Sequence, residues 1–350
     1  MSRPRLAITM GDVAGIGPEV VVRACADADV QRACRPIVVG NPVVLQRAAL
    51  LINSPIRVVP VDEHDDGEHP GDVIACWNPS TGEAADVQPG RNDPRAGRAA
   101  YDYLVAATRA TLDDRFDAIV TAPISKAALH AAGLNYPGHT EILAELCGTN
   151  RFAMMLYLPT GDRVVSPHGL GVAHVTLHTS VASVPQLLST SGVLEKIELI
   201  NGFMRSVGCG KPRLAVCALN PHAGEDGLFG DEERLVIAPA VERARGADID
   251  VTGPLPADTL FRRAANGEFD GIVAMYHDQG HIAFKLIGWD RAVNVTLGLP
   301  IVRTSPSHGT AFDIAWTGTA SADGMREAIR IAVLLSHQRN APAAPFRNPV

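Results

Sequence analysis

The stretch Asp270–Leu286, DGIVAMYHDQGHIAFKL, decides how the rest of the chain is read. It begins as an apolar run, Ile272-Val273-Ala274-Met275, of the length and bounding expected of a buried strand. The run stops abruptly at Tyr276-His277-Asp278-Gln279-Gly280-His281. In an open α/β sheet, ligands bind beyond the carboxyl ends of the strands. His277 is therefore placed to meet a metal or a substrate, and Asp278 beside it can orient the imidazole. One such pair alone reads more readily as a polar loop. The design recurs, however, where Val172–Leu177 runs into His178 and where Arg213–Leu219 runs into Asn220-Pro221-His222. Three apolar strands each ending in a histidine outline a three-imidazole metal site with positions open for water or substrate, as catalytic zinc sites have.

Around this stretch, strands and helices alternate. Leu6–Met10, Pro36–Gly40 and Ala118–Val120 read as strands, and Val20–Ala28, Asn41–Ile52 and Arg95–Leu112 as helices. That alternation predicts a largely parallel α/β sheet. Asp62–Asn92 reads as a loop with a short strand at Val73–Trp77. Later, Phe152–Leu158, Val293–Leu297 and Ile301–Thr304 read as strands, Gly161–Gly171 as a polar excursion, and Gly253–Phe261 as a Pro-rich loop. Val184–Val207, Glu232–Ala244 and Met325–His337 read as helices, with a disordered tail at Ala341–Val350.

The chain has 350 residues, 46% of them hydrophobic and 20% charged, enough for about two domains with an ample core. A net charge of −7, without a long Lys/Arg run, argues against a nucleic-acid partner. The six cysteines show no CxxC and no disulfide or zinc-knuckle spacing. No stretch approaches the roughly 18 apolar residues of a membrane helix, and the first apolar run is too short for a signal peptide. The expectation is a cytoplasmic protein.

Other residues carry possible binding chemistry. The turn Gly11-Asp12-Val13-Ala14-Gly15-Ile16-Gly17-Pro18-Glu19 is a glycine-rich strand-to-helix junction, a natural anion site. It is neither GxGxxG nor a Walker motif, and three glycines serving a tight turn explain it equally well. His139-Thr140 at a helix start can present donors to a phosphate, or be a solvated residue and an N-cap. Lys285, Asn294 and Arg303 supply two cations and an amide close in sequence, an anion clamp if they converge and solvated charge if they do not.

Taken together, GDVAGIGPE, NYPGHTE, NPHAGE, GPLPADTLF, AMYHDQG, VNVTLGLPIVRTS and HGTAFDIA resemble the 4-hydroxythreonine-4-phosphate dehydrogenase (PdxA) family of vitamin B6 biosynthesis, from about Leu6 to about Leu335. The resemblance implies two α/β/α domains flanking a cleft, as in isocitrate and isopropylmalate dehydrogenases. The first would be residues 1–138 plus 309–350, the second residues 139–308. It also implies NAD bound without a Rossmann fingerprint, and a homodimer with shared active sites. His178, His222 and His277 match the family's ligands for a divalent metal, with zinc expected and cobalt, magnesium, manganese or nickel as alternatives. His139, Thr140, Lys285, Asn294 and Arg303 match its substrate-binding positions. Asp258 and Asp278 fall in family motifs as acid–base or orienting candidates.

Some features depart from that pattern. Val13 replaces the family's usual proline, and Gly161–Gly171 looks like an insertion. Gln279-Gly280-His281-Ile282 and HGTAFDIAWTG are similar to a second branch acting on 4-phosphorylated threonate or erythronate. His174-Val175-Thr176-Leu177-His178 resembles a relative that oxidises a terephthalate cis-dihydrodiol. The expected reaction is NAD-dependent oxidation of the secondary alcohol of a 4-phosphorylated C4 hydroxy acid, followed by decarboxylation. The rivals are the cis-dihydrodiol reaction, a metal-dependent lyase or hydrolase without NAD, and a metal-storing or ligand-sensing protein.

Overall fold

The computed structural model describes residues 3–81 and 84–339; the tail Ala341–Val350 lies outside them. One sheet of 12 strands runs through the chain. Its strands are β1 (Arg5–Thr9), β2 (Arg35–Val39), β3 (Arg57–Val61), β4 (Val73–Trp77), β5 (Ala118–Thr121) and β6 (Ala153–Leu158). They continue as β7 (Leu170–His174), β8 (Leu214–Cys217), β9 (Val251–Leu255), β10 (Gly271–Ala274), β11 (Val293–Leu297) and β12 (Val302–Pro306). The spatial order is β3-β4-β2-β1-β5-β12-β11-β6-β7-β10-β8-β9.

Strands β1 to β5 with β12 form one parallel half, and β7 to β10 form the other. Antiparallel pairings of β11 with β12 and with β6, and of β6 with β7, join the halves into a mixed α/β sheet. The inner strands are buried on both faces, as the continuous apolar run of β6 shows. Alternate residues feed separate cores: Met155 and Tyr157 enter one cluster, Leu156 and Leu158 the other. Helices begin where local chemistry satisfies their first amides. Asn41 accepts from Val43 N and Val44 N ahead of the helix Pro42–Leu51, and Asp93 accepts from Arg95 N ahead of Pro94–Leu112.

Several elements differ from the sequence reading. The edge strand β3 falls in a segment assigned no structure, because its half-exposed residues and Pro60 blur the apolar run. The supposed loop Gly253–Phe261 is the end of β9, with a cis Gly253–Pro254 bond, followed by the helix Ala257–Ala265. The helix expected over Val184–Val207 breaks at Leu188, which is extended, and restarts with Ser189 as N-cap of Thr190–Ser206. The excursion Gly161–Gly171 already contains the first residues of β7. That strand ends at His174, although Val175 N and Thr176 N still donate to the carbonyls of Ala274 and Met275.

The glycine-rich turn after β1 is closed by packing. A Cβ on Gly11, which has φ +70°, would lie 2.3 Å from Pro123 O. Gly17, Pro18 and Glu19 at the start of the helix Gly17–Cys25 are buried. Glu19 accepts from Trp316 N and Gly318 N, so this helix start is occupied by the chain itself.

Candidate functional site

Register places the site. Across the middle of the sheet Arg303 pairs with Ile119, Asn294 with both Ser305 and Leu156, and Leu156 with Val172. Paired residues share a face, and so do residues two apart on a strand. Thr121, Arg303, Ser305, Asn294, Met154, Leu156 and His174 therefore stand on one face. The helix His277–Gly288 lies over this face beside β6, β7 and β10. Its approach needs Gly280, where a Cβ would sit 2.3 Å from His174 Nε2.

A cavity of about 240 Å³ lies there, lined by His139, His178, His277, His281, Lys285, Asn294 and Arg303, with Thr121 and Ser305–Gly309. It is smaller than typical drug-sized pockets, as suits a compact polar ligand. Among the described residues, no aspartate or glutamate lines it.

Of the two cations in the wall, Arg303 is the more deeply buried, only 2% exposed. Its guanidinium donates to Thr296 Oγ1 at 3.0 Å and to Thr121 Oγ1 at 2.7 Å, while Nε has no partner. Burial lowers it from the ordinary guanidinium range to about 10, with Glu141, which does not line the cavity, opposing the shift. It stays charged at neutral pH. His139, the first residue of the helix His139–Leu146, has a buried and unpartnered Nε2. Burial and the Arg303 charge push it well below the usual histidine range, so it is neutral. Asn294 Oδ1 is likewise buried without a partner. Lys285 Nζ sits 4.5 Å over the Trp289 ring. Thr140 is buried at the helix start and does not line the cavity.

The three strand-end histidines follow adjacent parallel strands, in the order β7, β10, β8. His277 opens its helix, donating from Nδ1 to Asp278 Oδ1 at 2.7 Å, which leaves Nε2 with a lone pair. His178 stands beside it, ring centroids 5.9 Å apart, lowered by burial and by Lys126. His222 is not brought to this pair. It is exposed, in a left-handed turn running from φ +53° at His222 to φ +54° at Asp226, with its ring near Phe229. That turn is anchored by Glu233, which accepts from Leu219 N and Asn220 N. Among the described residues, no three His, Cys, Asp or Glu side chains converge to hold a metal within one chain. His178 and His277 have the chemistry of two metal ligands; a third must come from elsewhere. Asp258 is exposed in the first turn of its helix and does not line the cavity.

Sequence reasoning missed His174, His281 and His308. His281 lies one helical turn after His277 and stacks on it at 3.7 Å, a spacing of four residues that could have signalled the pair. His308, after β12, has a buried, unpartnered Nε2 at the cavity wall.

A sequence profile of the family described as "Pyridoxal phosphate biosynthetic protein PdxA" matches residues 32–332. The chain belongs to the PdxA family. The 4-hydroxythreonine-4-phosphate dehydrogenase of Geobacter metallireducens is 45% identical over 340 residues, covering 97% of this chain and 98% of its own. The D-threonate 4-phosphate dehydrogenase of Cupriavidus necator is 44% identical over 338 residues, covering 96% and 98%. The crystal structure of the 4-hydroxythreonine-4-phosphate dehydrogenase of Klebsiella pneumoniae matches with a TM-score of 0.82 at 40% identity, covering 95% of this chain and 99% of its own. These relatives are dehydrogenases, and the chain shares their oxidoreductase class. Among the described residues no helix is long and apolar enough to cross a membrane.

Proposed function

We propose that the chain catalyses NAD-dependent oxidation of the secondary alcohol of a 4-phosphorylated C4 acid, either 4-hydroxythreonine 4-phosphate or threonate 4-phosphate. The observation that carries this reading is Arg303: a buried guanidinium that lines a cavity with only hydroxyl partners. Buried charges are normally paired, so an anionic ligand is the missing partner. Lys285, also in the wall, adds a second positive charge. His139 Nε2 and Asn294 Oδ1, unpartnered in the protein, can bond the polar groups of the same ligand. Together they would fix the carbinol carbon relative to the hydride acceptor, a positioning effect.

A divalent metal, with zinc the first choice, would be held by His178 and His277 together with His222 of a second copy of the chain. A bound cation of this kind lowers the pKa of a substrate hydroxyl and stabilises negative charge on oxygen. Asp278 holds the His277 ring with its Nε2 lone pair free. Two features support a second copy at this face. His222 is exposed next to the exposed Leu228 and Phe229, and Ile282, Leu286 and Trp289 form an uncovered apolar stripe on the helix His277–Gly288. NAD enters as the oxidant that a dehydrogenase requires. Oxidation next to a carbon bearing carboxylate gives a β-keto acid, which loses CO2 readily.

The test is a panel scored by NADH absorbance: both phosphorylated acids, their unphosphorylated parents, and a cis-dihydrodiol dicarboxylate. The phosphorylated acids are expected to give the highest kcat/KM. A better unphosphorylated parent or diol refutes the phosphate assignment. Turnover without NADH formation refutes the dehydrogenase reading in favour of a lyase.

A further inference from the structure

At the cavity wall His281 forms, with the buried His174, a pair that the proposed reaction has not used. His174, on β7, is 1% exposed, and its Nδ1 lies 3.5 Å from Met154 O. Its Nε2 lies 3.2 Å from His281 Nδ1, which is also 3.1 Å from the carbonyl of His277. The protons on this chain follow from its acceptors. His281 Nδ1 faces a carbonyl oxygen and must carry its hydrogen, donating to both neighbours. His174 Nε2 is then an acceptor, so the His174 proton sits on Nδ1 and points to Met154 O. Both imidazoles are locked as the Nδ1–H tautomer, and the His281 ring is further held by stacking on His277. What remains is His281 Nε2. It carries a lone pair, has no protein partner among the described residues, and belongs to a side chain that lines the cavity.

We propose that His281 is a specificity-determining residue whose Nε2 accepts a hydrogen bond from a hydroxyl of the substrate, selecting a phosphorylated hydroxy acid over the corresponding amino acid. This rests on the reaction proposed above. Both a hydroxyl and an ammonium could donate to that lone pair, but the surroundings separate them. Lys285 and Arg303 share the cavity, and no carboxylate lines it. A hydroxyl takes the bond without adding positive charge, whereas an ammonium group meets two cations and, among the described residues, no carboxylate in the wall. A site built to bond a particular substrate group discriminates strongly, because its own polar atom is otherwise left unpaired.

The experiment compares kcat/KM for D-threonate 4-phosphate and 4-hydroxythreonine 4-phosphate in wild type, His281→Asn and His281→Gln. Asparagine keeps a donor near the Nδ1 position but has no acceptor at Nε2; glutamine can place its Oε1 there. Wild type is expected to favour the hydroxy acid. His281→Asn should lose about tenfold on the hydroxy acid and little on the amino acid, while His281→Gln retains most of the preference. An unchanged preference in His281→Asn overturns the proposal. An imidazole 15N spectrum of wild type, assigned by through-bond correlation to the His281 backbone, should show His281 protonated at Nδ1. Protonation at Nε2 overturns the proposal even if both variants fail to fold. Wild type that oxidises neither compound overturns the reaction itself, before any variant is compared.

Discussion

Replacing Arg303 with methionine separates what this residue does for the fold from what it does for a ligand. The guanidinium is buried, and its lowering from the ordinary guanidinium range to about 10 records the cost of holding the charge away from water. By linkage that shift corresponds to about 3 kcal/mol of destabilisation. A base whose folded pKa is depressed destabilises the fold fully below about 10, and the cost is relieved as pH rises beyond that toward the ordinary guanidinium range. At neutral pH the whole penalty is present. Against it stand two hydrogen bonds, to Thr296 and Thr121, each contributing about 1 kcal/mol. Arg303→Met keeps most of the volume, removes the charge and leaves two hydroxyls to find other partners. The ligand-free protein should therefore be as stable as wild type or more stable by about 1 kcal/mol, read from urea denaturation at pH 7. Binding moves the other way. Losing a buried, charge-assisted contact to an anion costs about 2–4 kcal/mol, so kcat/KM for the phosphorylated acid should fall roughly 30- to 1,000-fold. A variant that loses more than about 2 kcal/mol of stability yet keeps its kcat/KM would make Arg303 a structural residue and sink the anion-site argument.

Two other perturbations probe the remaining charges. Asp12 is fully buried with Oδ2 unpartnered, and burial raises it from 3.8 to about 6. An acid raised in this way makes stability fall as pH rises from about 4 to 6; Asp12→Asn should flatten that slope and stabilise the protein by up to about 3 kcal/mol at pH 7.5, measured by urea denaturation, and an unchanged slope refutes it. The shared metal site predicts complementation. His222→Ala and His277→Ala proteins, each inactive, should recover about a quarter of wild-type activity after subunit exchange, since half the dimers are mixed and each has one intact site. No recovery after exchange confirmed by mass spectrometry would place all three ligands in one chain.

How far the sequence could be read depended on how each element is buried. Strands buried on both faces, such as β1, β6 and β10, announce themselves as apolar runs, and their C-terminal residues were then sensible places to look for chemistry. The half-exposed β3 and the proline-bearing β9 carry no such run. The same logic divides the site. His277 and His178 could be located because each follows a buried strand. The path of the chain beyond a strand is another matter. The left-handed turn at His222 uses Ala223, Glu225 and Asp226 as well as Gly224 at positive φ, so the usual glycine signal is diluted and the direction of the imidazole stays hidden.

The anion-binding centre was legible in its residue types and not in its geometry, for a reason rooted in topology. Lys285, Asn294 and Arg303 are neighbours in sequence, but what fixes their meaning is distant. Arg303 Nη2 donates to Thr121, 182 residues away, because β12 returns to pair with β5. His139 reaches the same cavity from the start of the helix His139–Leu146, and His174 and His281, 107 residues apart, meet only because β7 and β10 are adjacent. In a sheet whose spatial order departs this far from chain order, local spacing cannot say which strands become neighbours. Once β12 pairs with β5, the two-residue period of each strand brings the guanidinium to the same face as Thr121 and Asn294. Hydroxyls bond two of its nitrogens, and among the described residues no carboxylate is bonded to it. That unpaired charge is the physical ground for the anionic substrate, and it becomes visible only when the register is known.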